Sequence, residues 1–247
     1  MIHVTGDTHG TFTRLTQPQN NIKKGDTIII CGDFGGVWSG SVSEQGKLNE
    51  LANLPYTILF CSGNHENYDL LEYYDTEEWN GGLVRKIREN VMLLLRGQVY
   101  TIEGNKFFVF GGAKSHDIQD GILDPEEENF RIKYEELIER DANFRIKHIS
   151  WWEEEMPSLE ELITGIENLC KNNWEVDNVI THCCDEETTK ELCKKTHREY
   201  EPDILINYFS IIKKKLKYKK WYCGHHHMEK NIEKTRVLYR EIIELGK

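Results

Sequence analysis

The sequence predicts an α/β fold that includes some antiparallel strand pairs, and three observations support this prediction. Short β-rich runs recur along the 247 residues, and stretches with apolar residues at helical spacing lie between some of them. Two of the runs, 98–102 and 107–110, flank the segment Glu103-Gly104-Asn105-Lys106 and are typical of a hairpin. We find no internal repeat, low-complexity tract or Pro/Gly-rich linker, so we expect one domain over residues 1–247.

The predicted elements follow one another in a regular order along the chain. The runs with β-strand character are 3–4, 27–31, 56–61, 91–95, 107–110, 179–181 and 221–223. Apolar residues at helical spacing include Leu48, Leu51 and Ala52, and a later set continues from Leu205 to Leu216. After Val237 we expect the chain to end in a short strand or helix.

The segment 124–161, called the acidic segment below, differs in composition from the rest of the chain. It contains thirteen acidic and only five basic residues. An apolar helical face is predicted for it from Ile132, Leu137, Ile138, Phe144 and Ile149. We therefore expect a helical insertion, either a solvated excursion or a lid over a site. The solvated excursion is favoured, because runs of charge usually lie on the surface.

Charge and cysteine content restrict the classes of function. The formal net charge of −11 repels nucleic-acid phosphates, which argues against a stand-alone nuclease. No apolar run is long enough to cross a bilayer, and we expect no signal peptide before the first motif. The seven cysteines lack CxxC spacing, so we expect reduced thiols in a cytoplasmic protein, with Cys183 and Cys184 packed as small apolar residues.

The polar residues that follow the predicted strands form the most informative pattern. In five places an apolar run ends in a tight turn that carries Asp, Asn or His, and the turns are often glycine-led. These residues are Asp7 and His9, Asp33, Asn64 and His65, His182, and His225 with His227. Because functional sites of α/β sheets lie beyond the carboxyl ends of the strands, we expect these side chains to meet in one crevice.

The donor types of these residues predict a site for two metal ions. Imidazoles, carboxylates and an amide oxygen suit Mn²⁺, Zn²⁺ or Fe²⁺, and we expect Mn²⁺ first. The donors are too many for one ion and suffice for two ions that share a carboxylate. Two ions about 3.5–4 Å apart can hold a bridging hydroxide and the oxygens of an in-line displacement at phosphorus.

The ordered motifs GDTHG, GDFG, GNHE, TH and GHHH resemble the calcineurin-like metallophosphoesterases, whose signature is D-x-H, GD, GNH(D/E), H and GHxH. The resemblance extends from Asp7 to His227 and implies a four-layer α/β/β/α sandwich with two mixed sheets, interrupted by the acidic segment. It also implies that His65 faces the scissile phosphate as the catalytic residue. The implied ligands are Asp7, His9 and His227 for one ion, Asn64, His182 and His225 for the other, and Asp33 for both.

One motif departs from the serine/threonine phosphatase branch of that family. In that branch the GD motif continues as GDxxDRG, where the second Asp orients the GNH histidine and the Arg grips phosphate. Here the residues are Gly32-Asp33-Phe34-Gly35-Gly36-Val37, so protein phosphatase activity is not implied. The partner that orients His65 stays open, with Asp69, Asp117 and His116 as candidates.

The glycine-led turn 111–117 is predicted to line the substrate side of the crevice, because it carries Lys114, Ser115 and His116. We expect hydrolysis of a phosphomonoester or phosphodiester in a small molecule or nucleotide. A non-catalytic interaction module is disfavoured by the complete ligand set. A nuclease is the other alternative: its support is the six lysines within 213–220, which the helical pattern places on a solvated face.

Overall fold

The computed structural model describes residues 1–17, 21–196 and 201–246. Within these residues the strands form two large mixed sheets and one short pair. The first sheet contains β1 Ile2–Thr5, β2 Thr27–Ile30, β3 Thr57–Phe60, β4 Thr76–Trp79, β5 Gly82–Arg88, β6 Val91–Leu94 and β15 Ile242–Glu244. The second contains β7 Gln98–Ile102, β8 Asn105–Phe110, β11 Asn178–Thr181, β12 Lys220–Cys223, β13 Lys230–Ile232 and β14 Thr235–Val237. The short pair is β9 Ile122–Leu123 and β10 Arg145–Ile146.

The helices lie between these strands along the chain. They are α1 Thr13–Thr16, α2 Val42–Ala52, α3 Tyr68–Leu71, α4 Phe130–Glu139, α5 Leu159–Lys171, α6 Glu186–Thr196 and α7 Ile204–Lys215. A 3-10 helix, Glu153–Glu155, precedes α5. No helix in the described part of the chain is long and apolar enough to cross a membrane.

Both large sheets have a parallel centre and antiparallel margins. The order of the first sheet is β15-β1-β2-β3-β6-β5-β4, and β1, β2, β3 and β6 run parallel. The order of the second is β13-β14-β12-β11-β8-β7, and β14, β12, β11 and β8 run parallel. Since neighbouring parallel strands end on the same side, the turns after β1, β2 and β3 lie side by side, as do those after β11 and β12.

Alternation along β2 shows how the first sheet buries both of its faces. Ile29 belongs to a core that also contains Val109 of the second sheet, so the two sheets pack face to face. Ile28 and Ile30 point the other way and share a core with Leu48 of α2. The near-continuous apolar sequence of this strand is typical of a strand covered on both sides.

The second sheet is covered in the same manner by α5 and α7. Phe108 and Val179 share a core with Leu169 of α5 and Phe209 of α7. The layers are therefore helices, sheet, sheet and helices, which confirms the predicted α/β/β/α sandwich with two mixed sheets.

Each of the seven runs predicted as strands forms or overlaps a strand. The hairpin is confirmed as the antiparallel pair β7 and β8, and the helical patterns are confirmed as α2 and α7. The chain after Val237 contains the strand β15. The antiparallel pair β4 and β5 was not predicted, because the edge strand β4, Thr-Glu-Glu-Trp, is largely exposed and has two charged residues in place of an apolar run.

The acidic segment is only partly helical, and its predicted apolar face is wrong. The helix α4 covers Phe130–Glu139 and buries Leu137, whereas Ile132 and Ile138 are 62% and 55% exposed. Phe144 and Ile149 lie beyond the end of the helix, since the chain turns there into β10. The segment contains a helix, a strand and a turn, so one helical period does not describe it.

Candidate metal centre

The seven predicted ligands lie in turns at the carboxyl ends of strands from both sheets. Asp7, Asp33 and Asn64 follow β1, β2 and β3 of the first sheet. His182 follows β11 of the second sheet, and the turn with His225 and His227 follows β12. Because the two sheets pack face to face, these turns meet at one edge of the sandwich.

One set of side chains, called the first group, consists of Asp7, His9 and His227. The Nε2 atom of His227 lies 2.9 Å from Nε2 of His9 and 3.1 Å from Oδ2 of Asp7. The Nε2 atom of His9 lies 3.7 Å from the same carboxylate oxygen. The candidate ligand atoms of the three residues all lie within 4.8 Å of one another, so this group could hold a metal ion.

The second group consists of Asn64, His182 and His225. The Oδ1 atom of Asn64 lies 3.1 Å from Nε2 of His182 and 3.1 Å from Nδ1 of His225. His182 in turn donates Nδ1–H to the backbone carbonyl of Cys31 at 2.8 Å, which leaves Nε2 facing Asn64. An amide oxygen and two imidazole nitrogens thus converge on one point.

Asp33 lies between the two groups and faces both. Its Oδ1 atom is 3.2 Å from Nε2 of His182, and its Oδ2 atom is 3.8 Å from Nε2 of His9. The backbone N–H of His65 donates to Oδ1 at 2.8 Å, which fixes the orientation of the carboxylate. One oxygen is therefore directed at each group, so Asp33 could serve as a ligand shared by two ions.

The local structure fits bound cations. The Oδ2 atom of Asp7 is buried and has no hydrogen-bond partner among the described residues, although His227 lies close to it. A buried carboxylate oxygen without a donor is costly unless a cation approaches it. A Cβ atom at Gly63 would lie 2.0 Å from Oδ1 of Asp33, and one at Gly224 would lie 2.2 Å from Oδ1 of Asp7. These two turns therefore need glycine beside the candidate ligands.

Four of the seven candidate ligands have a left-handed backbone conformation. The φ angles are 46° at His9, 46° at Asp33, 64° at His225 and 50° at His227. Asp and His tolerate this region better than most residues, but it still costs free energy. Such strain is retained where the surrounding structure holds it, and it clusters at functional sites.

The electrostatics of the cluster separate its titratable groups. Burial raises the pKa of Asp33, but His182 outweighs that effect and holds the pKa well below its ordinary value. Burial lowers the pKa of His182, but Asp33 raises it to about 9 overall. Burial, together with His182, keeps the pKa of His225 well below the ordinary value. The protein therefore offers anionic Asp33 beside a histidine that ligates a cation only after losing its proton.

His65 lies beside the cluster but belongs to neither group. Its ring centroid is 5.2 Å from that of His9. Burial has the largest effect and lowers the pKa of His65 below its ordinary value. Asp33 and Asp117 raise this pKa, and Arg145 lowers it. Arg145 donates Nε–H to Asp117 Oδ2 at 2.9 Å, so this ion pair lies within electrostatic reach of His65.

The three candidate partners of His65 therefore have different surroundings. Asp69 accepts from Trp152 Nε1–H at 2.7 Å and lies 2.9 Å from His148 Nδ1. His116 contacts His225, with 2.8 Å between their Nε2 atoms. Asp117 keeps one oxygen, Oδ1, buried and without a hydrogen-bond partner in the described part of the chain. Asp117 raises the pKa of His65, against the larger lowering by burial.

The turn 111–117 reaches the cluster through His116, which contacts His225. Lys114 is partly exposed and lies 3.2 Å from Glu201. Ser115 is buried, and its hydroxyl lies between Asn64 and Glu155. This geometry favours a position behind a candidate ligand over the contact with substrate that the sequence predicted for Ser115.

Several residues that shape the site were not predicted from the sequence. Glu66 accepts from the backbone N–H of Phe34 at 2.7 Å and so holds the turn after Asp33. Buried Arg96 donates to the backbone carbonyls of Gly111 at 3.0 Å and Glu154 at 2.7 Å. Glu66 could have been found because it follows the GNH motif directly. Arg96, by contrast, acts across 58 residues of chain and has no local signal.

The acidic segment returns to the site instead of remaining a solvated excursion. Its residues Arg145, Trp152 and Glu155 contact Asp117, Asp69 and Ser115, respectively. The prediction of a purely solvated excursion is therefore wrong for this part of the segment, since long-range contacts override the surface preference of charged residues. Cys183 and Cys184, in contrast, are buried free thiols in apolar clusters, as predicted.

One family of known proteins matches the sequence over most of its length. A family model described as calcineurin-like phosphoesterase matches residues 1–229. The structure is similar to the crystal structure of phosphopantetheinyl hydrolase (PptH) from Mycobacterium tuberculosis, with a TM-score of 0.46 and 13% sequence identity over 96% of this chain and 87% of that chain. No curated protein matches the sequence. From the match over residues 1–229, the chain belongs to the calcineurin-like phosphoesterase family.

Proposed function

We propose that this protein hydrolyses a phosphomonoester or phosphodiester bond in a small molecule or nucleotide with the help of two divalent metal ions. The observation that carries this proposal is the position of Asp33, which directs one oxygen at each of two groups of candidate ligands. Family membership supports metal-dependent phosphoester hydrolysis in general.

The first group would hold one ion and the second group the other, with Asp33 as the shared ligand. The mixture of imidazole, carboxylate and amide oxygen supports Mn²⁺ before Fe or Zn²⁺. When bound, the ions supply positive charge to the phosphate oxygens and lower the pKa of water. The buried Oδ2 of Asp7 is then stabilised by a cation.

His65 is the proposed proton donor to the leaving oxygen. Its ring lies next to His9 without joining either group, which leaves it available to the substrate. The nearby ion pair of Arg145 and Asp117 would act on the protonation of His65 in opposite directions, because Arg145 disfavours the imidazolium form and Asp117 favours it. His116 and Lys114 are proposed substrate contacts, because His116 reaches His225 and the side chain of Lys114 is partly exposed.

The contacts of the lysine-rich segment 213–220 weaken the nuclease alternative. Lys213 lies 2.9 Å from Asp185, and Lys219 lies 2.7 Å from Asp177. Lys215 is stacked over the ring of Trp174, 3.8 Å from its centroid. These contacts neutralise or cover part of the charge that a phosphate backbone would need.

The proposal is tested with purified protein loaded with Mn²⁺. Model monoesters, model diesters, nucleotides and dinucleoside polyphosphates are screened, with the chelated protein as the control. We expect hydrolysis of at least one class that disappears on chelation and returns with Mn²⁺. Two bound Mn²⁺ ions without hydrolysis of any class would favour an interaction module instead.

The seven free cysteines support a further part of the proposal, namely that the protein works in a reducing compartment such as the cytoplasm. A thiol count on protein isolated from its native cells tests this. Seven reactive thiols after denaturation are expected, and paired cysteines would contradict it.

A further inference from the structure

A chain of hydrogen bonds joins the acidic segment to the second group. The side-chain amide of Asn64 donates Nδ2–H to Oγ of Ser115 at 3.3 Å. The hydroxyl of Ser115 donates to Oε2 of Glu155 at 2.5 Å, and its backbone N–H donates to Oε1 at 2.8 Å. All three residues are buried, with 6%, 4% and 2% exposure, so no competing bulk water is expected along the chain.

The direction of these hydrogen bonds is determined by Glu155. An ionised carboxylate only accepts, and a hydroxyl has a single hydrogen to donate. The hydroxyl hydrogen of Ser115 is therefore directed at Glu155, and only a lone pair of Oγ is left for Asn64. Asn64 must then direct its NH₂ at Ser115, which turns Oδ1 towards His182 and His225.

On its other side the amide of Asn64 faces Nε2 of His182 and Nδ1 of His225, and these nitrogens have no proton to donate when they bind an ion. The hydrogen bond to Ser115 is then the contact that distinguishes the two ends of the amide. The oxygen and nitrogen of an amide have almost the same size and are distinguished by their hydrogen bonds alone. Only the oxygen has a lone pair suited to a metal ion. The orientation of one side chain thus decides whether the second group contains three donors or two.

Glu155 is held firmly enough to impose this direction. Arg96 donates to the backbone carbonyls of Glu154 at 2.7 Å and Glu155 at 3.2 Å, which fixes the 3-10 helix. Trp152, at the start of this helix, donates to Asp69 at 2.7 Å. The 3-10 helix is therefore anchored by two contacts, one with α3 and one with the segment before β7.

We propose that Glu155 and Ser115 are positioning residues that orient the amide of Asn64 for metal binding. This inference rests on the proposed ligand role of the second group. It assigns a role to the acidic segment, which supplies the carboxylate that sets the direction of the hydrogen bonds from Glu155 through Ser115 to Asn64. Residues that support metal ligands in this way commonly affect metal affinity about 10–100-fold.

The variant Glu155→Gln keeps the shape of the side chain and reverses the direction of the hydrogen bonds to Asn64. The Gln oxygen accepts from the backbone N–H of Ser115, so its NH₂ donates to Oγ of Ser115. The hydroxyl hydrogen then turns towards Asn64, which presents its oxygen to Ser115 and its NH₂ to the second group. We expect the affinity for the second Mn²⁺ ion to fall about 10–100-fold.

The variant Ser115→Ala interrupts the chain without reversing it, so the amide is free to follow the ion. We expect a smaller loss of affinity than in Glu155→Gln. In the double variant Glu155→Gln with Ser115→Ala, the reversed direction is no longer transmitted, and the affinity should return to that of Ser115→Ala. A purely structural effect of Glu155 would instead add to the effect of Ser115→Ala.

Titration calorimetry with Mn²⁺ measures both binding steps, and the melting temperature of the metal-free protein monitors the fold. Glu153→Gln, at an exposed position on the same 3-10 helix, is the matched control and should bind both ions normally. Normal affinity in Glu155→Gln, or additive losses in the double variant, overturns the inference.

Two further outcomes are also decisive. If the unchanged protein binds fewer than two ions, the proposed function fails, and the inference is overturned with it because no second ion needs the amide of Asn64. If Glu155→Gln does not fold, Ser115→Ala is compared with Ser115→Thr, which keeps the hydroxyl. Weaker binding in the Ala variant alone supports the inference, and equal binding in both overturns it.

Discussion

At the scale of single residues, the site depends on how each side chain divides its atoms between neighbours. Asp33 directs Oδ1 at the second group and Oδ2 at the first, while its backbone carbonyl accepts from the N–H groups of Thr8 at 3.0 Å and His9 at 2.8 Å. The same residue therefore arranges its own carboxylate and the turn that presents His9. Such double use explains why a left-handed conformation is retained there.

Replacing Asp33 by Asn is expected to weaken the binding of both ions, because one shared oxygen and the negative charge are lost together. Turnover in Mn²⁺ should fall at least about 100-fold, the upper end for residues that only support ligands. Metal content after dialysis and the rate with the best substrate measure the effect. Near-normal turnover would contradict a shared ligand at this position.

The replacements His65→Ala and His65→Asn separate chemistry from metal binding. Both ions should stay bound, and the rate should fall about 10²–10⁴-fold, the usual range for a general acid. The loss should be smaller with p-nitrophenolate as leaving group, since this anion needs no proton. Loss of metal in these variants would make His65 a ligand, and equal losses for good and poor leaving groups would exclude proton donation.

Gly63→Ala tests the close approach of two turns. The new Cβ atom would lie 2.0 Å from Oδ1 of Asp33, so the carboxylate must move and both groups lose a ligand atom. We expect weaker Mn²⁺ binding and at least about a tenfold lower rate. Gly46→Ala is the control, because nothing lies within 4 Å of a Cβ atom there and alanine favours the helix α2. Equal behaviour of the two variants would contradict the steric argument.

At the scale of elements, the start of β2 is joined to β1 by a buried polar contact. The carboxylate of Asp26 accepts from the backbone N–H of Lys23 at 2.8 Å and lies 3.1 Å from Nε2 of His3. Burial raises the pKa of Asp26, but the hydrogen bonds with Lys23 and His3 and the ion pair with the Met1 ammonium, 3.1 Å away, outweigh that effect and lower the pKa to about 2. The folded state therefore prefers the ionised carboxylate.

This pKa predicts how the stability of the protein changes with pH. The folded pKa of Asp26 is about 2, below the ordinary value of about 3.9. The stabilisation is thus present above about pH 4 and is lost as the pH falls towards 2. Asp26→Asn should lower the free energy of unfolding of metal-free protein by about 1–3 kcal/mol near neutral pH.

Urea unfolding at several pH values measures this difference. The gap between unchanged protein and Asp26→Asn should narrow below about pH 4. Asp75→Asn, at an exposed position, serves as the control and should leave the curve almost unchanged. A gap that stays constant down to pH about 2 would contradict the assigned pKa.

Element prediction succeeded where a segment is buried on both sides and failed at the margins. The strands β2 and β3 have continuous apolar runs because sheets or helices cover both faces. The edge strand β4 is largely exposed and charged, and its pairing with β5 depends on backbone contacts that side-chain patterns do not record. The acidic segment was predicted as a helical insertion, whereas the chain there forms the helix α4, the short strand β10 and a 3-10 helix.

At the scale of the whole molecule, the candidate metal centre brings together residues that are 220 positions apart in the chain, from Asp7 to His227. Five turns from two sheets contribute, and none of them holds more than a fraction of the ligands. The two sheets must therefore pack face to face before either group exists. Metal binding is for this reason expected to stabilise the complete fold more than any isolated part.

The sequence by itself determined the α/β class, the principal strands and the identity of the seven candidate ligands. It could do so because apolar runs of the core and the polar residues that follow them are local patterns. The turn of Asp33 and the GNH turn of Asn64 were visible in the same way. The donor types of these residues predicted two divalent ions, whereas the division of the ligands between the ions and the role of His65 came from the family resemblance. The identity of the metal and the substrate remain proposals.

Only the tertiary structure decided what surrounds these ligands. The pairing of Arg145 with Asp117 and the chain from Glu155 through Ser115 to Asn64 join parts of the molecule that share no sequence pattern. Charged residues such as Glu155 look alike in sequence whether they are exposed or buried. Their roles are settled by which partner the packed sheets and the returning acidic segment place within hydrogen-bond distance, and that depends on the whole fold.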